Sequence, residues 1–177
     1  MAVIAKPAAG EFLSYYAHYI DLVPESDLGK VLQQQIDATR AIFGTVDEAK
    51  AGYRYAPGKW SVREVLGHLT DAERVFTYRL MCIARGDVTP LPGFDEQAYV
   101  PASGADRRTL AGLLNEFVAV RSATIALVDG LSAEAWTRRG NANGHEITPR
   151  ALAYIVTGHE RHHLETLRTR YGVGMRE

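Results

Sequence analysis

Six histidines are spread along the chain, and two of them, His159 and His163, stand four residues apart in Gly158-His159-Glu160-Arg161-His162-His163. In a helix this spacing stacks two imidazoles one turn apart on one face. With Leu152 at zero and about 100° per residue, Ile155 falls at about 300°, Val156 at about 40°, His159 at about 340° and His163 at about 20°. Both histidines therefore lie in the middle of the apolar stripe. Two imidazoles turned toward a core need a reason: each is hydrogen-bonded to a neighbour, or the two share a metal ion.

His68, in Gly67-His68-Leu69-Thr70-Asp71-Ala72-Glu73, is the third imidazole to consider. With Val62 at zero, the stripe of its segment centres at about 330° and His68 falls at about 240°. That edge position faces either a neighbouring helix across a seam or solvent, and periodicity leaves both open. His162 lies at about 280° on the later segment, beside the stripe, where contact with neighbouring side chains or with solvent explains it. His145 sits in a polar loop that would suit the mouth of a site. His18, among tyrosines near the N-terminus, has the weakest claim.

Other chemistries are poorly represented. His159-Glu160-Arg161-His162-His163 has the letters of a His-Glu-x-x-His motif, but there is no phosphate-binding Gly-rich loop, and no Glu-x-x-His on two helices. Glu160 and Glu165 point away from the centre of the histidine pair. Cys82, the single cysteine, has no histidine one turn away and reads as a partly buried thiol. No catalytic residue is assigned. Glu73 and Arg121 are possible supports behind the histidines, and Asn141, Asn143 and His145 a possible rim.

Four long segments must position these groups. Apolar residues at three-and-four spacing predict helices over about 26–48, 61–85, 106–129 and 148–171. Ser61-Val62-Arg63-Glu64 matches a capping box, and Thr148-Pro149 offers an N-cap with proline at the first helical position. Gly86, Gly130 and Gly172 are natural stops. The 87–105 link carries Phe94 and Tyr99 and is long for a bundle, so it should pack over one end. A short helix is expected near 132–136, and a tyrosine-rich strap or short helix over 12–23. No alternating run predicts a sheet. The expectation is one all-α domain over 1–177, a four-helix bundle with long connections and an N-terminal strap over about 1–25.

Composition limits the remaining classes. With 46% hydrophobic and 23% charged residues, 177 residues suffice for a stable core. A net charge of −1 argues against a surface built for nucleic acid. One cysteine permits no internal disulfide, which fits a reducing compartment. No stretch approaches the roughly 20 apolar residues of a membrane span, and no signal peptide is evident. A cytoplasmic protein without a membrane partner is the expectation.

Lys59-Trp60-Ser61-Val62-Arg63-Glu64-Val65-Leu66-Gly67-His68-Leu69, followed much later by the 158–163 motif, resembles the DinB-like superfamily, most closely its DinB_2 branch. Leu22-Val23-Pro24-Glu25, the 85–95 stretch and Ala142-Asn143-Gly144 fit the same pattern, so the resemblance covers about 11–171. It implies a four-helix bundle with a divalent metal, zinc, nickel or a related ion, held by His68, His159 and His163. It further implies a small-molecule substrate and often a homodimer. Some members are thiol-dependent transferases or isomerases that use a low-molecular-weight thiol such as bacillithiol or mycothiol. A metal-dependent enzyme performing thiol transfer or small-substrate hydrolysis is the leading expectation. The alternative is a non-catalytic metal-binding bundle with a sensing or structural role.

Overall fold

The computed structural model describes residues 3–174. A 3-10 turn at Ser14–Tyr16 leads into α1 (Ala17–Asp21), followed by α2 (Leu28–Phe43), α3 (Glu48–Ala51), α4 (Val62–Ala84), α5 (Glu96–Ser103), α6 (Leu110–Asp129) and α7 (Pro149–Tyr171). Local sequence sets the ends of the long helices. Ser61 and Glu64 complete both halves of the capping box that starts α4. Thr148 accepts from the Ala151 amide, Pro149 opens α7, and left-handed Gly172 closes it. The segment expected from 106 begins later: Ala105–Arg107 makes a 3-10 turn, Arg108 is extended, and Thr109 caps α6.

The four long helices form a ring whose spatial order differs from chain order. α4 packs between α6 and α7, and α2 closes the ring by packing on α6 and α7. The long links after α2 and α4 make that order possible. Two apolar clusters fill the interior, one around Leu32, Phe76, Leu80 and Ile155, the other around Leu66, Leu69, Phe117 and Leu167.

Between the clusters lies a polar layer. Arg121, 1% exposed, donates through Nε and Nη2 to the two Glu73 carboxylate oxygens at 2.8 Å each. Its Nη1 donates to Glu160 at 2.6 Å and to Gln35 at 3.1 Å. Thr39 donates to Glu160, and Gln35 Nε2 donates to the Thr157 carbonyl at 2.9 Å. The network therefore ties α2, α4, α6 and α7 together, with every ion paired and hydrogen-bonded. Arg121 and Glu73 thus support the bundle centre, not the histidines as the sequence suggested.

Three expectations need correction. A two-stranded antiparallel sheet is present, Gly140–Ala142 (β1) with His145–Ile147 (β2). Its signal was Asn143-Gly144, both at positive φ, the pair a tight hairpin turn requires. The 87–105 link holds a helix of its own, α5, begun by the Asp95 carboxylate accepting from the Gln97 and Ala98 amides. By length and apolar composition α6 also reaches what a membrane-crossing helix needs. Its Leu113, Phe117 and Val128 are buried inside the bundle, as is Arg121.

The N-terminal segment is a strap over α7. Glu11 accepts hydrogen bonds from the Ala8 amide, the Thr148 hydroxyl and the Arg150 guanidinium. Tyr154 donates to the carbonyls of Ile4 and Glu25. Gly158 lets α1 touch α7: a Cβ there would lie 1.9 Å from the Tyr19 carbonyl oxygen.

Candidate metal centre

α4 and α7 pack side by side, and His68 from the second turn of α4 meets His159 and His163 of α7 across their seam. The edge position of His68 on its helix thus points at a neighbour, and the residue is buried. His159 is buried as well, and His163 is half-buried. His68 Nε2 and His163 Nε2 each lie 3.1 Å from His159 Nε2.

Hydrogen bonding alone cannot satisfy this arrangement. A neutral imidazole Nε2 carries either one proton or one in-plane lone pair. His159 Nε2 faces two other ring nitrogens and so can complete only one of the two contacts. A cation that receives three lone pairs satisfies all three rings at once. Ligand nitrogens about 2.0–2.1 Å from one ion and about 100° apart lie about 3.1 Å from each other. The donor set and its spacing therefore fit a divalent ion.

The electrostatics favour the ligand-competent form. Burial pushes the His68 pKa down to about 4. His159 and His163 are held well below the ordinary histidine value, by burial first and then by the charge of neighbouring imidazoles, His163 and His68 beside His159, and His68 and His162 beside His163. All three lone pairs are thus available at neutral pH. His68 Nδ1 is buried with no hydrogen-bond partner among the described residues.

Aromatic rings wall the triad. Trp60 lies 4.7 Å from His68 between ring centres and stacks at 6.5 Å on His163. Phe94, from the 87–105 link, lies parallel to His68 at 6.4 Å. Tyr19 and Phe76 meet His159 edge-on at 5.2 and 5.7 Å. One side stays open as a cleft of about 150 Å³, into which His68, His159, His163, Arg79 and Asn143 project. A second cleft, of about 220 Å³, lies beyond Trp60 and His163 and is bordered by Lys59, His162 and Tyr171.

The proposed rim is only partly assembled there. The hairpin is stitched to the 87–95 loop by Leu91 N–H to Asn141 O at 2.9 Å and Asn143 N–H to Leu91 O at 3.0 Å. This carries Asn143 into the cleft, whereas His145 is exposed beside a separate small cavity. His162 and His18 pack against each other and Tyr19 outside the triad. Sequence reasoning missed Trp60, Phe76 and Arg79. Phe76 belonged to the apolar stripe, and an arginine on a long helix carries no signal of its own.

The family model of the DinB superfamily matches residues 32–167. The chain belongs to the DinB superfamily. Among solved structures, this DinB protein is similar to YfiT from Bacillus subtilis, described as a probable metal-dependent hydrolase with an unusual four-helix bundle topology. The TM-score is 0.67 at 19% identity, over 96% of this chain and 94% of that one. A mycothiol-dependent maleylpyruvate isomerase is similar over 82% of this chain and 61% of its own, with 14% identity and a TM-score of 0.66. The DinB-like protein YjoA of Bacillus subtilis gives 0.59 at 19% identity, over 82% and 89%. No curated protein matches. At these identities the likeness establishes the fold alone.

Proposed function

We propose that this DinB protein is a metal-dependent enzyme that holds a zinc or nickel ion on His68, His159 and His163 and acts on a small molecule in the adjoining cleft. The observation that carries this reading is the convergence of three neutral Nε2 atoms that cannot all be hydrogen-bonded to one another. Three protein ligands leave coordination positions free, the mark of a catalytic rather than a closed structural site. A divalent ion held this way supplies Lewis acidity, which brings the pKa of a coordinated water or thiol toward neutrality.

The chain's own groups define the rest. Trp60, Phe94, Tyr19 and Phe76 restrict water around the triad and give an apolar surface for the substrate's carbon skeleton. Asn143 offers an amide at the cleft wall, held there by the hairpin's bonds to Leu91. Glu96, half-buried, is the carboxylate bordering the same cleft. It is the group in reach of a proton released at the mouth. Thiol transfer makes the smaller demand on the cleft, because a thiol needs less help from a base than water does.

Two assays on the metal-loaded protein test this reading: displacement of chloride from an electrophilic aromatic chloride by a small thiol, which gives the thioether, chloride and a proton, and hydrolysis of an activated ester. The expected result is turnover in one of them that chelation abolishes and metal restores. Absence of both activities, with a large loss of thermal stability on chelation, would instead place the metal in a structural role.

A further inference from the structure

Arg79 is 4% exposed and has no carboxylate within ion-pair distance among the described residues. The contrast with the other inward arginines is clear. Arg121 has Glu73 and Glu160, and Arg150 has Glu11. The acids bordering the Arg79 surroundings are Glu96 on α5 and Glu146 on β2, and Glu146 is held by Arg139. The Arg79 guanidinium donates through Nη2 to the Pro92 carbonyl at 2.7 Å and lies against the Tyr16 hydroxyl; both partners are neutral, so no anion answers its charge among the described residues. An arginine stays charged at any physiological pH, and a buried charge without an anion is costly. Arg79 also borders the cleft that contains the three histidines.

We propose that Arg79 anchors a carboxylate of the small molecule that enters the histidine cleft. This rests on reading the cleft as the substrate site. One buried cation matches a monoanion better than a doubly charged phosphate, and the planar guanidinium fork fits a carboxylate edge-on. Position gives the ligand a direction. Phe76 touches His159 with 5.7 Å between ring centres, and Arg79 follows it by three residues, about 4.5 Å of helix rise. A carboxylate on Arg79 therefore lays the remaining carbon chain along Phe76, with its reacting end at the triad. Asn143, on the facing hairpin, supplies an amide for the same ligand. Arg79 is thus a binding residue that sets both the class of substrate and its register against the histidines.

The test compares propanoate with the uncharged, nearly isosteric propanamide, titrated into the full-length protein and followed by NMR. The metal-free protein is measured first, so that carboxylate binding to a metal cannot imitate binding to Arg79. The Arg79 Nε–H signal is assigned by its loss in Arg79→Lys. The expected result is a saturable shift of that signal with propanoate and a preference over propanamide of about tenfold or more, the order of a charge-assisted pair. Arg79→Gln should bind the two probes equally. Equal binding in the wild-type protein, or a preference that survives in Arg79→Gln, would overturn the proposal. The wild-type titration decides the matter even if Arg79→Gln does not fold. Failure of the metal reading would show separately, as absent zinc uptake with the propanoate preference intact.

Discussion

Arg121 shows how much a single residue can hold here. It joins Glu73 and Glu160 in the bundle centre, and removing it leaves two buried carboxylates without a cation. Burial already raises the Glu160 pKa against the pull of Arg121. Arg121→Met should therefore cost about 3–5 kcal/mol, measured by denaturant unfolding, while a double replacement of Arg121 and Glu160 by apolar residues should cost less than the single. An Arg121→Met protein as stable as wild type would show that the network contributes nothing. At this scale the sequence was uneven. His159 and His163 announced themselves, because histidines four apart inside an apolar stripe are anomalous. His68 lay at a stripe edge, where a wheel cannot tell a neighbouring helix from water, and the family resemblance chose between them. Arg121 and Glu73 were singled out, but as supports of the histidines; their pairing with one another and with Glu160 stayed hidden, as did Arg79, since contacts between separate helices leave no local spacing.

At the scale of elements, the strap and the hairpin set the cleft. Gly158 permits the contact between α1 and α7 that brings Tyr19 onto His159. Gly158→Ala should push the strap away and destabilise the protein by about 1–3 kcal/mol, with faster amide exchange concentrated in 14–23 as the readout. Uniform exchange across the chain would contradict that account. Glu11 fastens the strap's start to the head of α7. The Arg150 guanidinium, with the Ala8 amide and the Thr148 hydroxyl, lowers its pKa from 4.5 to about 2. A lowered carboxylate pKa stabilises the folded state above about pH 4.5, and that stabilisation fades as pH falls toward 2. The stability gap between wild type and Glu11→Gln should accordingly be full at neutral pH and narrow between pH 4.5 and 2; a gap independent of pH would count against the anchor. The long helices were legible because each carried its own cap, stop and stripe. The hairpin was not, because three-residue strands are too short to show alternation, and its Asn143-Gly144 turn was the one usable sign.

For the whole molecule, the order of the helices was beyond the sequence. Helix existence follows from local periodicity, but which helix lies beside which depends on contacts between distant segments. Long links after α2 and α4 allowed the non-sequential ring without requiring it. That ring places α4 against α7, and only this adjacency turns a lone edge histidine and an i,i+4 pair into one triad. The central claim is that the triad holds a divalent ion, and elemental analysis of the purified full-length protein tests it most directly. The wild-type protein should take up one zinc or nickel ion per chain after loading and dialysis, and the His159→Ala, His163→Ala double variant should take up none while remaining helical. Full stoichiometric metal in the double variant, or none in the wild type, would contradict the account.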